Sequence, residues 1–212
     1  MIINAIAHNS APRFISFPDL LAGSFQQPFL AQELIDYLEE NATPSLLDIT
    51  GDNVVETVLD NENQLPYPKV HWHIRQIVDR INTVFCMNSH VESIESWNDT
   101  GWLRKFTPNE KSIDKSPRFH YDYNTNYRVL KNNRNYSTPD VASLSVALNE
   151  DYEGGEIVIS HGYNSEGKHQ NAMVKPKTGD GILWDGWTMH GVNPVTAGER
   201  YVMVVHFQGR LL

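Results

Sequence analysis

A histidine and an aspartate one residue apart are the first side chains in this sequence that could do chemistry. They are His120 and Asp122, in the stretch RFHYDYN at residues 118–124. Alternate residues of an extended strand lie on the same face, so the imidazole and the carboxylate can point at one spot. Such a pair can bind a metal ion or form a polar contact on a sheet, and these two residues alone leave both interpretations open.

A third metal-binding side chain and a cation follow later in the chain. His190 lies in WTMHGVNP, and Arg200 comes ten residues after it in GERYVMVVHF. Two histidines and one carboxylate on one face of a metal leave the opposite positions open, which suits non-heme Fe(II). Arginine also offers a fixed bidentate cation for a carboxylate. The four residues together predict an iron site for a dicarboxylate that chelates the metal at one end and meets Arg200 at the other.

The composition fits a folded chain and argues against several classes of partner. The chain has 212 residues, of which 40% are hydrophobic, and its formal net charge is -9. We expect no nucleic-acid partner, because a phosphate backbone requires a basic face. The single cysteine, Cys86, excludes an intramolecular disulfide and a four-cysteine zinc site. With no signal peptide or membrane-length apolar run, we expect a cytoplasmic protein without a membrane partner, and the oligomeric state stays open.

The pattern of apolar residues changes from helical to strand-like along the chain. Apolar residues recur at helical spacing in residues 28–42 and again in residues 68–86. From about residue 91, short segments rich in Val, Ile and aromatic residues alternate with Gly, Pro, Asn and Asp. This second pattern predicts a β-sandwich or barrel, with a jelly roll among the options.

Several motifs occur in a fixed order between Trp102 and Phe207. They are LRKFTPNEK and PRFHYDYN, then SLSVALNEDYEGGEIVI, then VKPKTGDGILWDGWTMHGVNPVTAGERYVMVVHF. A lone His-x-Asp is common by chance, whereas this succession of His-x-Asp, Gly-Gly-Glu, Gly-Asp, His and a later basic residue is specific. The region resembles the Fe(II)/2-oxoglutarate-dependent dioxygenases, and within them the prolyl 4-hydroxylase-like group.

This resemblance implies a double-stranded β-helix, or jelly roll, with N-terminal helices packed on it. The expected organisation is one domain over 1–212, with a mostly helical support region at 1–90 and the catalytic β-helix core at 91–212. In Gly-Gly-Glu, we expect a tight turn with positive φ for at least one of the two glycines, Gly154 and Gly155.

The resemblance also implies an activity and a role for each motif residue. His120, Asp122 and His190 would hold Fe(II) as the catalytic residues, and Arg200 would bind the distal carboxylate of 2-oxoglutarate. The reaction would decarboxylate 2-oxoglutarate to succinate and CO₂ while O₂ oxidises a C–H bond, with ascorbate as an optional reductant. Hydroxylation of a prolyl residue in a peptide or protein is the expected outcome. The alternatives are a free amino acid or other small metabolite as substrate, and a non-catalytic, cupin-like metal-binding module.

Two positions depart from the family pattern. Ala147 stands where the family often has a tyrosine that helps to bind 2-oxoglutarate, and Phe106 stands where another tyrosine is frequent. Ser145, Thr188 and Tyr123 are the candidates for a replacement hydroxyl.

Other residues near the motifs are candidates for contact with the substrate. They are Tyr123, Asn124, Trp184 and His206. His206 can face the pocket or pack in the core. Asp185 is not expected to be a ligand, because Asp122 has the better spacing. The polar segment 125–140 follows the ligand pair directly, and we expect it to be a mobile loop that closes over the site.

Overall fold

The computed structural model describes the motif regions and parts of the N-terminal third. The described residues are 14–17, 29–45, 53–59, 68–70, 72, 74, 82, 91–109, 117–122, 140–163, 165–167 and 169–211. The elements in chain order are β1 (Phe14–Phe17), α1 (Phe29–Asn41), β2 (Thr43–Pro44), β3 (Asn53–Leu59), β4 (Val91–Thr107), β5 (Asp140–Ala147), β6 (Tyr152–Gly154), β7 (Ile157–Tyr163), β8 (His169–Val174), β9 (Gly181–Asp185), β10 (His190–Val192), β11 (Val195–Gly198) and β12 (Arg200–Leu211).

Two layers of antiparallel sheet form the body of the fold. The larger sheet has the strand order β1-β9-β5-β12-β4-β3-β2, and two smaller sheets have the orders β10-β7-β8 and β11-β6. Ile157 and Ile159 of β7 share an apolar cluster with Ile182 and Trp184 of β9, so β7 faces the larger sheet. This arrangement is the double-stranded β-helix that the sequence predicts, and the expected fold class is confirmed.

Helix α1 packs on the opposite face of the larger sheet. Its residues Leu30, Leu34 and Leu38 recur at helical spacing, and each is fully buried. They belong to one core cluster with Leu103 of β4 and Met203 of β12. Burial of this apolar stripe stabilises the helix on the sheet, because isolated helices of this length are marginal in water.

The sequence predicts two helices, and the structure describes nearly all of the first and a few residues of the second. The helix predicted over 28–42 is confirmed as α1. The helix predicted over 68–86 lies largely outside the described residues; those described within it are helical, and Val70 and Ile74 join the core cluster of α1. Among the described residues, no helix is long and apolar enough to cross a bilayer.

Strands from the N-terminal third extend the larger sheet at both edges. β1 pairs with β9, where Phe14 lies opposite Trp184, and β3 pairs with β4, where Val54 lies opposite Phe106. The region expected to be mostly helical therefore also supplies part of the sheet. The division of the chain into one domain with a support region and a core stays a prediction.

Strand β4 is a single long element that runs through a turn-like stretch of the sequence. The turn-like residues Asn98, Asp99 and Thr100 lie within it rather than between two strands. The register with β12 shifts at this point, because Val205 pairs with Gly101 whereas Phe207 pairs with Trp97. A β-bulge thus absorbs the polar residues and keeps β4 beside β12 along its length.

A polar network ties α1 to the larger sheet. The hydroxyl of Tyr201 donates to Oε1 of Glu39 at 2.6 Å and lies 2.7 Å from Oε2 of Glu199. Burial and these two carboxylates raise the pKa of Tyr201 well above its usual range, so this hydroxyl keeps its proton. Nζ of Lys105 lies 2.7 Å from Oε1 of Glu39 and lowers the pKa of that carboxyl.

The packing of α1 leads to a test of its role as the support of the sheet. We expect Leu38→Ala to lower the free energy of unfolding by about 2–5 kcal/mol, because it removes buried methyl groups and leaves a cavity. Glu40→Ala, which changes an exposed side chain of the same helix, serves as the control. Urea unfolding measures both variants; equal midpoints would show that the α1 contact contributes little.

Candidate active site

A backbone bridge joins the two segments that carry the candidate ligands. The amide of His120 donates to the carbonyl of His190 at 2.9 Å, and the amide of His190 donates back to the carbonyl of His120 at 3.0 Å. Gly191 permits this close pairing, since a Cβ there would lie 3.1 Å from both the Arg118 carbonyl oxygen and Cβ of Pro117. Two residues far apart in sequence are thus held side by side at the mouth of the barrel.

The three candidate ligands form one cluster. Nε2 of His120 lies 3.6 Å from Oδ1 of Asp122, and Nε2 of His190 lies 3.4 Å from Oδ2 of the same carboxylate. One donor atom from each residue lies within 4.8 Å of the other two. The structure therefore brings together the two histidines and the carboxylate that the spacing singles out.

The imidazole rings are oriented so that one nitrogen of each remains for a metal. Nδ1 of His120 lies 3.1 Å from the Arg118 carbonyl oxygen, and Nδ1 of His190 lies 2.9 Å from the Thr188 carbonyl oxygen. A carbonyl only accepts hydrogen bonds, so each Nδ1 carries the proton and each Nε2 keeps its lone pair. Metal-binding histidines are commonly held by such a backbone contact, which fixes both tautomer and ring direction.

Asp122 is held by residues of the larger sheet. The indole Nε1 of Trp184 donates to Oδ2 of Asp122 at 3.0 Å, and the Trp184 ring lies against the His190 ring with centroids 4.6 Å apart. Oγ of Ser143 lies 2.9 Å from Nδ1 of His206 and also contributes a hydrogen bond to Asp122. These contacts limit the rotation of the carboxylate and leave it directed toward the two imidazoles.

The electrostatics favour the protonation states that a metal requires. Burial raises the pKa of Asp122, but His190, His206, Ser143 and His120 together outweigh it, so this pKa lies below its ordinary value. Burial lowers the pKa of His190, against the opposing effect of Asp122. An ionised carboxylate beside a neutral imidazole is the combination that binds a divalent cation.

Exposure differs across the cluster and defines its open side. The side chain of His190 is 5% exposed and that of Asp122 is 12% exposed, whereas that of His120 is 37% exposed. Tyr121, between the two ligands of the His-x-Asp pair, is 53% exposed. A substrate would therefore reach the cluster from the His120 side.

This donor set fits non-heme Fe(II). Two neutral imidazoles and one carboxylate on one side of a common point form the facial set that leaves coordination positions open for small ligands. Asp185 is not part of the cluster, since its carboxylate accepts a hydrogen bond from the Thr188 hydroxyl at 2.8 Å. The assignment of His120, Asp122 and His190 as metal ligands remains a prediction, and their arrangement identifies which atom of each would bind the metal.

Arg200 lies at the other end of the same face of the sheet. It is 2% exposed, and its guanidinium carbon lies 5.1 Å from the centre of the Phe106 ring. Gly155 permits this packing, because a Cβ there would lie 2.8 Å from Cδ of Arg200. Both Gly154 and Gly155 have positive φ, which confirms the turn expected at Gly-Gly-Glu. A buried arginine beside an aromatic wall suits the carboxylate end of a dicarboxylate.

The other candidate residues from the sequence analysis include Ser145, Thr188, Tyr123 and Asn124, and the structure describes the first two of these. Ser145 is buried on β5, two residues from Ser143 and thus on the face that carries His206. Thr188 directs its hydroxyl to Asp185 and its carbonyl to His190, so its described contacts position a ligand. Tyr123, Asn124 and the expected loop 125–140, apart from Asp140, lie outside the described residues.

Sequence reasoning missed Ser143, which the fold adds to the site, and it missed the contact that Trp184 makes with Asp122. Ser143 lies two residues before Ser145 on β5, so the alternation of side chains along a strand places both on the same face. This alternation could have identified Ser143 from the sequence. The hydrogen bond from Trp184 to Asp122 had no signal in the sequence, because the two residues meet only when β9 packs beside the His-x-Asp segment.

The comparison with family models agrees with this geometry. Residues 112–208 match the model of the 2OG-Fe(II) oxygenase superfamily. This match covers just under half of the chain, and together with the relatives and fold neighbours it supports this superfamily and the prolyl 4-hydroxylase-like group within it. The expected family is confirmed, and Fe(II) and 2-oxoglutarate are the metal and cosubstrate that the superfamily uses. Ascorbate stays a prediction.

The curated relatives are similar to part of this chain. A PKHD-type hydroxylase of Pseudomonas paraeruginosa is 35% identical over 100 residues, which are 47% of this chain and 42% of that protein. The alignments span less than half the length of the curated relatives that the chain matches.

Solved structures share the fold over nearly the whole chain. A Pseudomonas putida prolyl-4-hydroxylase has a TM-score of 0.60 at 15% identity and covers 93% of this chain and 92% of its own. A Trichoplax adhaerens prolyl hydroxylase, in complex with a hypoxia inducible factor peptide fragment, has a TM-score of 0.61 at 15% identity and covers 92% of this chain and 83% of its own. Both support the fold class.

A second buried carboxyl lies near the ligand cluster. Asp140, at the start of β5, is 5% exposed, and its Oδ1 has no hydrogen-bond partner among the described residues. Burial and the negative charge of Asp122 raise the pKa of Asp140 to about 6, against a smaller opposing hydrogen bond from Gln208. Between about pH 4 and 6 the folded state therefore binds more protons than the unfolded chain, so stability falls as pH rises through this range.

This carboxyl gives a pH-dependent prediction for the metal-free protein. We expect Asp140→Asn to raise the free energy of unfolding by about 1–3 kcal/mol at pH 7.5, with the gain shrinking toward zero near pH 4. Urea unfolding at several pH values measures this difference, with Asp151→Asn as an exposed control. A gain that does not depend on pH would contradict the assigned titration.

Proposed function

We propose that this protein is a hydroxylase that uses non-heme Fe(II), 2-oxoglutarate and O₂ to hydroxylate prolyl residues in a peptide or protein. The observation that carries the proposal is the cluster of His120, Asp122 and His190, in which each histidine has its Nδ1 against a backbone carbonyl. A polar patch without a metal would have no need for two imidazoles that both direct a free Nε2 toward one carboxylate.

Each residue has a separate task in this proposal. His120, Asp122 and His190 would hold Fe(II), and Arg200 would pair with the distal carboxylate of 2-oxoglutarate. When bound, the iron and its cosubstrate supply the oxidation of a C–H bond, coupled to formation of succinate and CO₂. Trp184 orients Asp122 by its hydrogen bond, and the Thr188 carbonyl holds the proton of His190 at Nδ1. The burial of His190 keeps bulk water from that side of the cluster.

A polypeptide substrate is favoured by the open side of the cluster. His120 and the neighbouring Tyr121 are both accessible, so an extended chain can approach the metal position without entering a closed cavity. The similar Trichoplax adhaerens enzyme is described with a bound peptide fragment, which supports a peptide for this chain by analogy of fold.

A buried ion pair favours a small charged metabolite as the second candidate substrate. Nε of Arg104 donates to Oε2 of Glu56 at 3.0 Å, and both side chains are largely buried. Arg104 is two residues from Phe106 on β4, so it lies on the sheet face that includes Arg200. Opposite charges inside the barrel would match the carboxylate and ammonium of a free amino acid. To separate the two classes of substrate, succinate production is measured once with prolyl peptides and once with free amino acids.

Turnover in the absence of a substrate tests the class of enzyme. With Fe(II), 2-oxoglutarate, ascorbate and O₂, we expect slow succinate production by the wild-type protein. Asp122→Ala should lower it on the order of a hundredfold or more, because one metal ligand is lost. Asp151→Ala, an exposed carboxylate, should match wild type. Iron binding by the wild-type protein without any succinate would favour the cupin-like binding module instead.

Arg200 gives a separate prediction about the cosubstrate. We expect Arg200→Ala to raise the 2-oxoglutarate KM about a hundredfold while the affinity for Fe(II) changes little, because a buried charge pair is lost at one end of the cosubstrate only. Arg200→Lys should recover part of the loss. The matched control is Arg210→Ala, an exposed arginine of the same strand. An unchanged KM in Arg200→Ala would show that the carboxylate is bound elsewhere.

A further inference from the structure

Near Arg200, the tyrosine Tyr152 buries a hydroxyl that has no hydrogen-bond partner among the residues that the structure describes. Tyr152 as a whole is 6% exposed. Leaving such a group unsatisfied is unfavourable, and native structures contain few examples. The rest of the residue is well held, since Nζ of Lys175 lies 4.2 Å from the ring centre and donates to the Tyr152 backbone carbonyl.

The ring of Tyr152 is part of the wall around Arg200. It packs in one cluster with Phe106, over which the Arg200 guanidinium lies. A Cβ at Gly155 would lie 2.8 Å from Cδ of Arg200 and 3.0 Å from Cε2 of Tyr152, so both side chains flank the same glycine. Arg200 and the Tyr152 ring therefore lie beside the same glycine and share Phe106 as a neighbour.

We propose that the Tyr152 hydroxyl donates a hydrogen bond to the distal carboxylate of 2-oxoglutarate, beside Arg200. This inference rests on the proposed function. It supplies, from β6, the hydroxyl that is lost where Ala147 and Phe106 stand in place of tyrosines. The ligand would give the hydroxyl its missing acceptor, and the lack of a side chain at Gly155 lets Arg200 and the Tyr152 ring lie close to the same backbone position.

Tyr152→Phe removes this hydroxyl and keeps the ring. Binding is measured anaerobically by calorimetry, with Fe(II)-loaded protein and 2-oxoglutarate. A hydrogen bond to a charged acceptor predicts an affinity about tenfold lower or weaker still, with an unchanged affinity for Fe(II). Without ligand, the variant should unfold at the same or a higher temperature, because it no longer buries an unsatisfied hydroxyl. Equal 2-oxoglutarate affinity in Tyr152→Phe and wild type would overturn the inference.

A cosubstrate analogue separates a direct contact from a general loosening of the pocket. 2-Oxopentanoate has a methyl group where 2-oxoglutarate has its distal carboxylate. We expect wild type and Tyr152→Phe to bind it equally weakly. If the substitution weakens both ligands by the same factor, the hydroxyl does not contact the distal carboxylate and the inference is wrong.

A second tyrosine provides the matched control. Tyr201 has its hydroxyl bonded to Glu39 and Glu199, away from the pocket. Tyr201→Phe should lower the unfolding temperature and leave 2-oxoglutarate affinity unchanged, which is the opposite pattern to Tyr152→Phe. A wild-type protein that binds no 2-oxoglutarate would overturn the proposed function along with this inference, whereas tight binding by both wild type and Tyr152→Phe would overturn the inference alone.

Discussion

The backbone bridge between His120 and His190 is the interaction on which the rest of the site depends. Its two reciprocal hydrogen bonds fix the distance between the His-x-Asp segment and β10, and that distance sets the separation of the imidazoles. Gly191 is the local requirement for it, since any side chain there would press on the Arg118 backbone. The sheets, the bulge in β4 and the helical support act on the site by holding these two segments in place.

The cluster collects groups that the fold would not bring together for stability alone. The three candidate metal ligands, of which one is a carboxylate, lie near a further buried carboxyl, Asp140, whose pKa is raised by burial and by Asp122. Buried charges without a partner are unfavourable, so this concentration indicates a site that a cation completes. The same reasoning applies at the other end of the pocket, where Arg200 and Tyr152 are buried in a region that suits an anion.

The features of this structure that the sequence predicted follow mainly from the local spacing of residues along helices and extended segments. The spacing of Leu30, Leu34 and Leu38 predicted α1. The His-x-Asp spacing predicted that His120 and Asp122 meet, although residues 117–122 form an isolated β-bridge at His120 rather than the expected strand. These are local properties, in which each side chain's direction follows from its place in one element. The turn at Gly-Gly-Glu was predictable for the same reason, because positive φ has a strong residue preference.

Contacts between elements distant in sequence were not predictable in this way. The hydrogen bond from Trp184 to Asp122 depends on the packing of β9, and the burial of the Tyr152 hydroxyl depends on how β6 meets β12. Turn-like residues Asn98 and Asp99 became a bulge because the register with β12 continues on both sides of them. Such features need the three-dimensional arrangement of the strands, since neither composition nor periodicity records it.

The most direct test of the account is an anaerobic titration of metal-free protein with Fe(II) and then with 2-oxoglutarate, followed by visible absorption. Chelation of a 2-oxo acid to iron in this site should produce a weak charge-transfer band, at one iron per chain, and Asp122→Ala should not produce it. Binding of Fe(II) without a band on addition of 2-oxoglutarate would contradict the cosubstrate pocket at Arg200, and an equal band in Asp122→Ala would contradict the ligand cluster itself.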